Sequence, residues 1–197
     1  MSALKKFGVV LCALVASNFA AANQSALADM PSSKAIEENV QQSLKEFSES
    51  KNTDRGITLK YPKSWDKASV PAGSPLVCKF LTFSGLASFR IAVDQLPADV
   101  SLDEYVKVSE SQIAKVMVAN SMPMKRVTSE EATVGGSPAT KAIYTMTVEG
   151  TPDKAKVLQY FIVVKNRGYV FNFTADSTMY DAYMPVMDQV VQSIQFN

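Results

Sequence analysis

Histidine is absent from this 197-residue chain. Without an imidazole there is no Ser-His-Asp or Cys-His catalytic pair, no HExxH metalloenzyme and no histidine-ligated zinc. Cysteine is scarce, with only Cys12 and Cys78, and tryptophan occurs once, at Trp65. A surplus of either charge is missing too, since 20 Lys+Arg face 19 Asp+Glu. A net charge of +1 leaves nothing spare to neutralise phosphates, which argues against a nucleic-acid binder of the usual basic type. No GxGxxG, GxxxxGK(S/T), GxSxG or CxxC pattern occurs. What is present is an ordinary apolar fraction, 47%, which rules out a charged, disordered chain. The length suits one compact domain or two small ones.

The first 28 residues have the order of a secretory signal peptide. Lys5 and Lys6 make the positive start. Phe7 to Ala16 follows as an apolar run of about ten residues, short of the roughly 20 needed to span a bilayer. Ala26-Leu27-Ala28 supplies a small-x-small site, so cleavage is expected between Ala28 and Asp29, with Ala20-Ala21-Ala22 as the second choice. An uncleaved anchor and a lipoprotein acylated at Cys12 are the competing readings. Cleavage removes two lysines and no acid, taking the formal charge from +1 to −1. The remainder, residues 29–197, is long enough to bury about 70% of its unfolded surface without a staple. Cys78 is then alone and has no internal disulfide partner. It reads either as a small buried hydrophobe or as a reactive thiol.

Ile36, Val40, Leu44 and Phe47 form one helical stripe across residues 34–50. That helix either packs on the domain's own sheet or docks on a partner. Lys51-Asn52-Thr53-Asp54 is the best linker candidate, dividing an N-terminal arm (29–54) from a main domain (55–197). Ile57, Leu59 and Tyr61 alternate as a strand closed by Pro62. Trp65 follows in a loop, where it is either a partner contact or the closure of a core edge. Strands are expected near 76–83 and 89–93. Ser101-Leu102-Asp103-Glu104 is a capping box, so a helix should run from Leu102 to about Ala119, with Leu102, Val106, Ser109, Ile113 and Val116/Met117 inward.

The last third predicts a meander. Strands cover 125–134, 139–148 and 155–165, and a last strand places Tyr169, Phe171 and Phe173 on one face. Tyr180, Tyr183, Met184, Met187, Val190, Val191 and Ile194 form a helical stripe interrupted by Pro185, so the main helix is expected to start near Met184. Asp94, Asp99, Asp103 and Glu104 are the densest carboxylates, but they lack a calcium-loop spacing. No two acids are paired across an expected cleft as glycoside hydrolysis needs.

The segment Gly56-Ile57-Thr58-Leu59-Lys60-Tyr61-Pro62-Lys63-Ser64-Trp65 resembles the strand-Pro-x-x-Trp opening of PsbP-like and DcrB-like extracytoplasmic proteins. The aromatic hairpin around Gly168-Tyr169, then Tyr183-Met184-Pro185 and Ser193-Ile194-Gln195-Phe196, is similar to the ending of that family. The resemblance spans about residues 55–197. It implies an α+β fold, an α/β/α sandwich around a central antiparallel sheet. It implies no catalytic residue, no cofactor and no metal site. Members of the family include an extrinsic photosystem II subunit, envelope proteins, chaperones for secreted effectors and a Ran-binding nuclear protein, and they share protein binding. The expectation is therefore a non-enzymatic accessory protein, exported to the periplasm, or to the thylakoid lumen in a photosynthetic host. It would bind a protein partner at or near a membrane. The alternative is a small apolar-ligand carrier lined by Met and aromatic residues of the C-terminal stripe and of the last strand, and a carboxylate-pair hydrolase is the third.

Overall fold

The computed structural model describes residues 31–82, 85–147 and 155–197. The expected export signal, the Ala28/Asp29 cleavage site and the turn at 149–154 lie outside the described residues. Helix α1 (Ser33–Lys45) begins where the Ser32 hydroxyl accepts from the Ala35 amide at 3.2 Å. It buries Ile36, Val40 and Ser43. The helical stripe expected to run on through Phe47 stops at Lys45, and strand β1 (Phe47–Asn52) takes its place. The reason is long-range. β1 pairs antiparallel with β2 (Ile57–Pro62), from Phe47 opposite Pro62 to Asn52 opposite Ile57. The polar stretch around Thr53 is the turn of this hairpin, closed by Gly56 at φ +65°, where a glycine is at home.

Seven strands make the main sheet. They are β3 (Asp66–Lys67), β4 (Leu76–Thr82), β5 (Ala87–Gln95), β6 (Met124–Val134), β7 (Ser137–Met146), β8 (Ala155–Val164) and β9 (Arg167–Asp176). Their spatial order is β3-β4-β5-β9-β8-β7-β6, and every pairing is antiparallel. The expected meander is β6 to β9, and β9 then lies beside β5. Gly135 and Gly136, both at positive φ, form the two-residue turn between β6 and β7.

Helices cover both faces of this sheet, which makes the fold α+β with a central antiparallel layer. Phe89, Ile91 and Val93 of β5 and Tyr169, Phe171 and Phe173 of β9 share the larger core with α1 and α3 (Tyr180–Gln192). The alternate residues, Ala92 and Val170, join Phe161 and Tyr144 in a second core under α2 (Leu102–Ala119). Period-2 alternation sends neighbours to opposite faces, and both are covered, so β5 and β9 are buried almost throughout. The small sheet β1-β2-β10 (Gln195–Phe196) closes the α1/α3 side.

The expected capping box of α2 is complete. The Glu104 amide donates to the Ser101 hydroxyl and the Ser101 amide to the Glu104 carboxylate. Tyr105, not Val106, is the buried residue of the first turn. The C-terminal helix begins at Tyr180, one turn before the expected start at Met184, and Pro185 lies inside it. A proline there costs about 3 kcal/mol. The helix also buries Tyr180, Tyr183, Val186, Met187, Val190 and Val191, each worth roughly 1.5–3 kcal/mol. Packing therefore outweighs the lost hydrogen bond.

Cys78 is 1% exposed in β4, and burial pushes its thiol up to about 12. It behaves as a small core hydrophobe. A thiol reagent is expected to leave native protein unlabelled at neutral pH and to label it once denaturant unfolds it. Rapid labelling without denaturant would contradict this placement.

Candidate functional site

Trp65, the residue offered as a partner contact, lies in the interior at 3% exposure. Its indole N–H donates to the Ser43 hydroxyl of α1 at 2.9 Å. The ring stacks towards Phe173 (6.5 Å) and meets Tyr183 edge-on (6.1 Å). The carboxylates near α2 do not converge. Asp99 and Asp103 are exposed, and Glu104 is occupied by its cap. Asp94 is buried and accepts from the Tyr105 hydroxyl at 2.9 Å. Burial pushes its carboxyl up to about 6, against the opposing pull of that hydrogen bond. Among the described residues no three His, Cys, Asp or Glu side chains come together as a metal site.

An open groove lies between α2 and the β6–β7 hairpin. Residues three or four apart on a helix share a face, so Asp103, Lys107 and Glu110 line one wall. Arg126, Ser129 and Glu131 of β6 line the other. This outer hollow has a volume of about 390 Å³. A second hollow of about 260 Å³ continues inward beneath α2, lined by Glu110, Ile113 and Ala114 opposite Arg126, Tyr144 and Gln159.

Glu110 and Arg126 border both hollows. Arg126 Nη1 donates to both Glu110 carboxylate oxygens at 3.0 Å, and the Tyr144 hydroxyl donates to Oε1 at 2.6 Å. Burial first, and then the Glu110 carboxylate, push the Tyr144 phenol well above its ordinary range, so it remains a donor. β6 is the edge strand, and its register shifts between Arg126 and Thr128. Bulges re-aim side chains at sheet edges, and Val127 at this one is 58% exposed.

Gln159, one of the residues around the inner hollow, belongs to a row of polar side chains that sequence reasoning missed. Arg90, Asn172 and Gln159 are successive cross-strand partners on β5, β9 and β8, and all are buried. Burial draws Arg90 down to about 10. Asn172 Oδ1 accepts from the Thr174 hydroxyl at 2.8 Å. Gln159 is 0% exposed, and neither its carbonyl oxygen nor its amide nitrogen has a hydrogen-bond partner among the described residues. The available signal was a single amide in the middle of each apolar strand, Leu158-Gln159-Tyr160 and Phe171-Asn172-Phe173. Such an amide faces a covered layer and needs a partner there.

No family model matches the chain, and no curated protein sequence does. Solved structures match its fold. Cyanobacterial PsbP (CyanoP) of Synechocystis sp. PCC 6803 is 16% identical with a TM-score of 0.64, over 77% of this chain and 92% of that one. LpqN, involved in cell envelope biogenesis of Mycobacterium tuberculosis, is 15% identical with a TM-score of 0.55, over 81% and 95%. The Ran-binding protein Mog1p of Saccharomyces cerevisiae is 8% identical with a TM-score of 0.55, over 77% and 95%. At these identities the likeness establishes a shared PsbP-like fold, and fold by itself does not choose a function.

Proposed function

We propose that this chain, which has the fold of PsbP and Mog1p, is an exported, non-enzymatic accessory protein that binds a protein partner at or near a membrane. The observation that carries the reading is the open groove between α2 and β6. Its walls present both signs of charge, with Lys107 and Arg126 against Asp103, Glu110 and Glu131. Such a surface suits another protein's mixed polar face. Asp94 and Tyr105, a buried pair elsewhere on the α2 side of the sheet, are hydrogen-bonded to each other. Mog1p is by name a Ran-binding protein, and LpqN is involved in envelope biogenesis. Residues 1–28 supply the export signal, for the periplasm or, in a photosynthetic host, the thylakoid lumen. No helix among the described residues is long and apolar enough to cross a membrane. The residues named for an apolar-ligand carrier, Tyr180, Tyr183 and Met187, are packed into the larger core beside Phe173.

Protein recovered from envelope or thylakoid fractions of its host is expected to begin at Asp29 by intact mass and to hold a stoichiometric partner. Arg126→Glu sets two carboxylates against each other in the middle of the groove, and is expected to weaken capture at least about tenfold. Recovery of the protein alone at every salt and detergent condition would overturn the reading.

A further inference from the structure

We infer that the free edge of β6 is an interaction surface for a second copy of this chain, paired antiparallel so that two main sheets join into one. β6 ends the sheet, and among the described residues its eleven positions have one neighbouring strand, β7. The strand at the opposite edge, β3, is two residues long and offers little to pair with. Lys125 to Glu131 are all exposed. A row of unpaired backbone N–H and C=O groups of that length is a template for another strand. The order of charges says which strand. Both basic residues of β6, Lys125 and Arg126, precede both of its acids, Glu130 and Glu131. A parallel copy sets like charge on like, which is unfavourable. An antiparallel copy, turned about a two-fold axis near Thr128, sets the basic end of each strand against the acidic end of the other. Val127, a large apolar side chain left exposed, lies beside that axis.

The bulge makes the two faces of the sheet match as well. Cross-strand partners share a face, and so do residues two apart on one strand. Arg126 lies opposite Tyr144 and Glu131 opposite Thr140, which puts both on the α2 side. Lys125 lies opposite Thr145 and Glu130 opposite Lys141, which puts both on the other side. In a regular strand an odd spacing sends such residues to opposite faces. The register shift between Arg126 and Thr128 brings them together. A two-fold axis perpendicular to the sheet keeps each face on its own side. Arg126 of one copy therefore meets Glu131 of the other on the α2 side, and Lys125 meets Glu130 on the opposite face. In the two registers that respect the bulge, one of these pairs is directly opposite and the other diagonal, within reach of long side chains. Within one copy Arg126 is held by Glu110, and Glu130 by Lys141 at 2.9 Å. Lys125 and Glu131 have no ion-pair partner among the described residues. The second copy gives each of them one.

Self-association does not rest on the partner-binding reading, because it is measured on the purified protein alone. Sedimentation equilibrium is expected to show a reversible monomer–dimer equilibrium. An edge contact buries less than a standard interface, so a dissociation constant of about 1–100 µM is expected. Added salt should weaken it. Lys125→Glu sets acid on acid at two symmetric places, and Glu130→Lys sets base on base. Each alone is expected to weaken dimerisation at least about tenfold. Mixed in equal amounts, the two variants restore both charge pairs in the heterodimer, and association close to wild type is expected. In the wild-type protein, amide hydrogen exchange is expected to slow with rising concentration along Met124–Val134 and not along β3. A chain that stays monomeric up to about 1 mM overturns the inference. So does a dimer that neither reversal weakens, or a mixture that associates no better than either variant alone. Concentration-dependent protection that appears elsewhere and spares β6 overturns it too.

Discussion

Trp65→Ala is expected to lose about 3–5 kcal/mol of folding stability, the usual cost of deleting a large buried aromatic. The indole is enclosed by Phe173 and Tyr183, and it holds the Ser43 hydroxyl of α1. Removal opens a cavity between α1, α3 and the sheet and takes away that donor. Trp65→Phe keeps most of the ring and loses the N–H, so a smaller cost of about 1–2 kcal/mol is expected. A whole domain is stable by only about 5–15 kcal/mol, so the alanine variant approaches the threshold of folding. Urea denaturation with an unchanged slope would measure both. Wild-type stability in Trp65→Ala would mean that the ring does not close this core.

The second large effect is a pH dependence written by Asp94. Its carboxyl is pushed up to about 6, from an ordinary value of 3.8, by burial at 7% exposure beside Tyr105. A raised value means that the folded chain favours the uncharged form. The contribution is therefore fully present below about 3.8 and disappears as pH rises through about 6. The full difference is worth about 3 kcal/mol. Tyr105 is itself pushed well above its ordinary range by burial and by Asp94, so it stays a donor across this window. Its ring lies against the backbone of Gly168, the cross-strand partner of Asp94, where any side chain would collide with it. That contact and the hydrogen bond together fix the pair. Asp94→Asn removes the titration. The stability of wild type relative to Asp94→Asn should fall by about 2 to 2.5 kcal/mol between pH 4 and pH 7, most of the full difference. A difference that stays flat would contradict the buried placement.

Much of this architecture was legible where short-range rules decide it. The Ser101–Glu104 cap and the run of Tyr169, Phe171 and Phe173 on one face of β9 are local patterns, and each appears where the spacing put it. The failures occur where distant partners decide. Phe47 continues a helical spacing, and only the ladder to Pro62 makes it a strand. Pro185 reads as a helix boundary, and only burial against Phe173 and Trp65 carries the helix back to Tyr180. The groove was invisible for the same reason. Nothing near Arg126 announces that Glu110, sixteen residues earlier, will meet it. Gln159 and Asn172 were readable as lone amides in apolar strands, but not as neighbours, because their register is set by the whole β8–β9 hairpin.

The placement of β10 sets an order on how the chain acquires its shape. β2 takes β1 from just before it and Phe196 from the far side of the sequence, and the Asn197 amide reaches the Gly56 carbonyl at 3.0 Å. β5 likewise waits for β9. Loops this long are slow to close, because the entropy of bringing their ends together is lost before any contact repays it. During synthesis the β2 edge that Phe196 occupies therefore stays unpaired until that residue arrives. Residues 195–197 thus act as a latch on the hairpin that precedes the main sheet in the sequence.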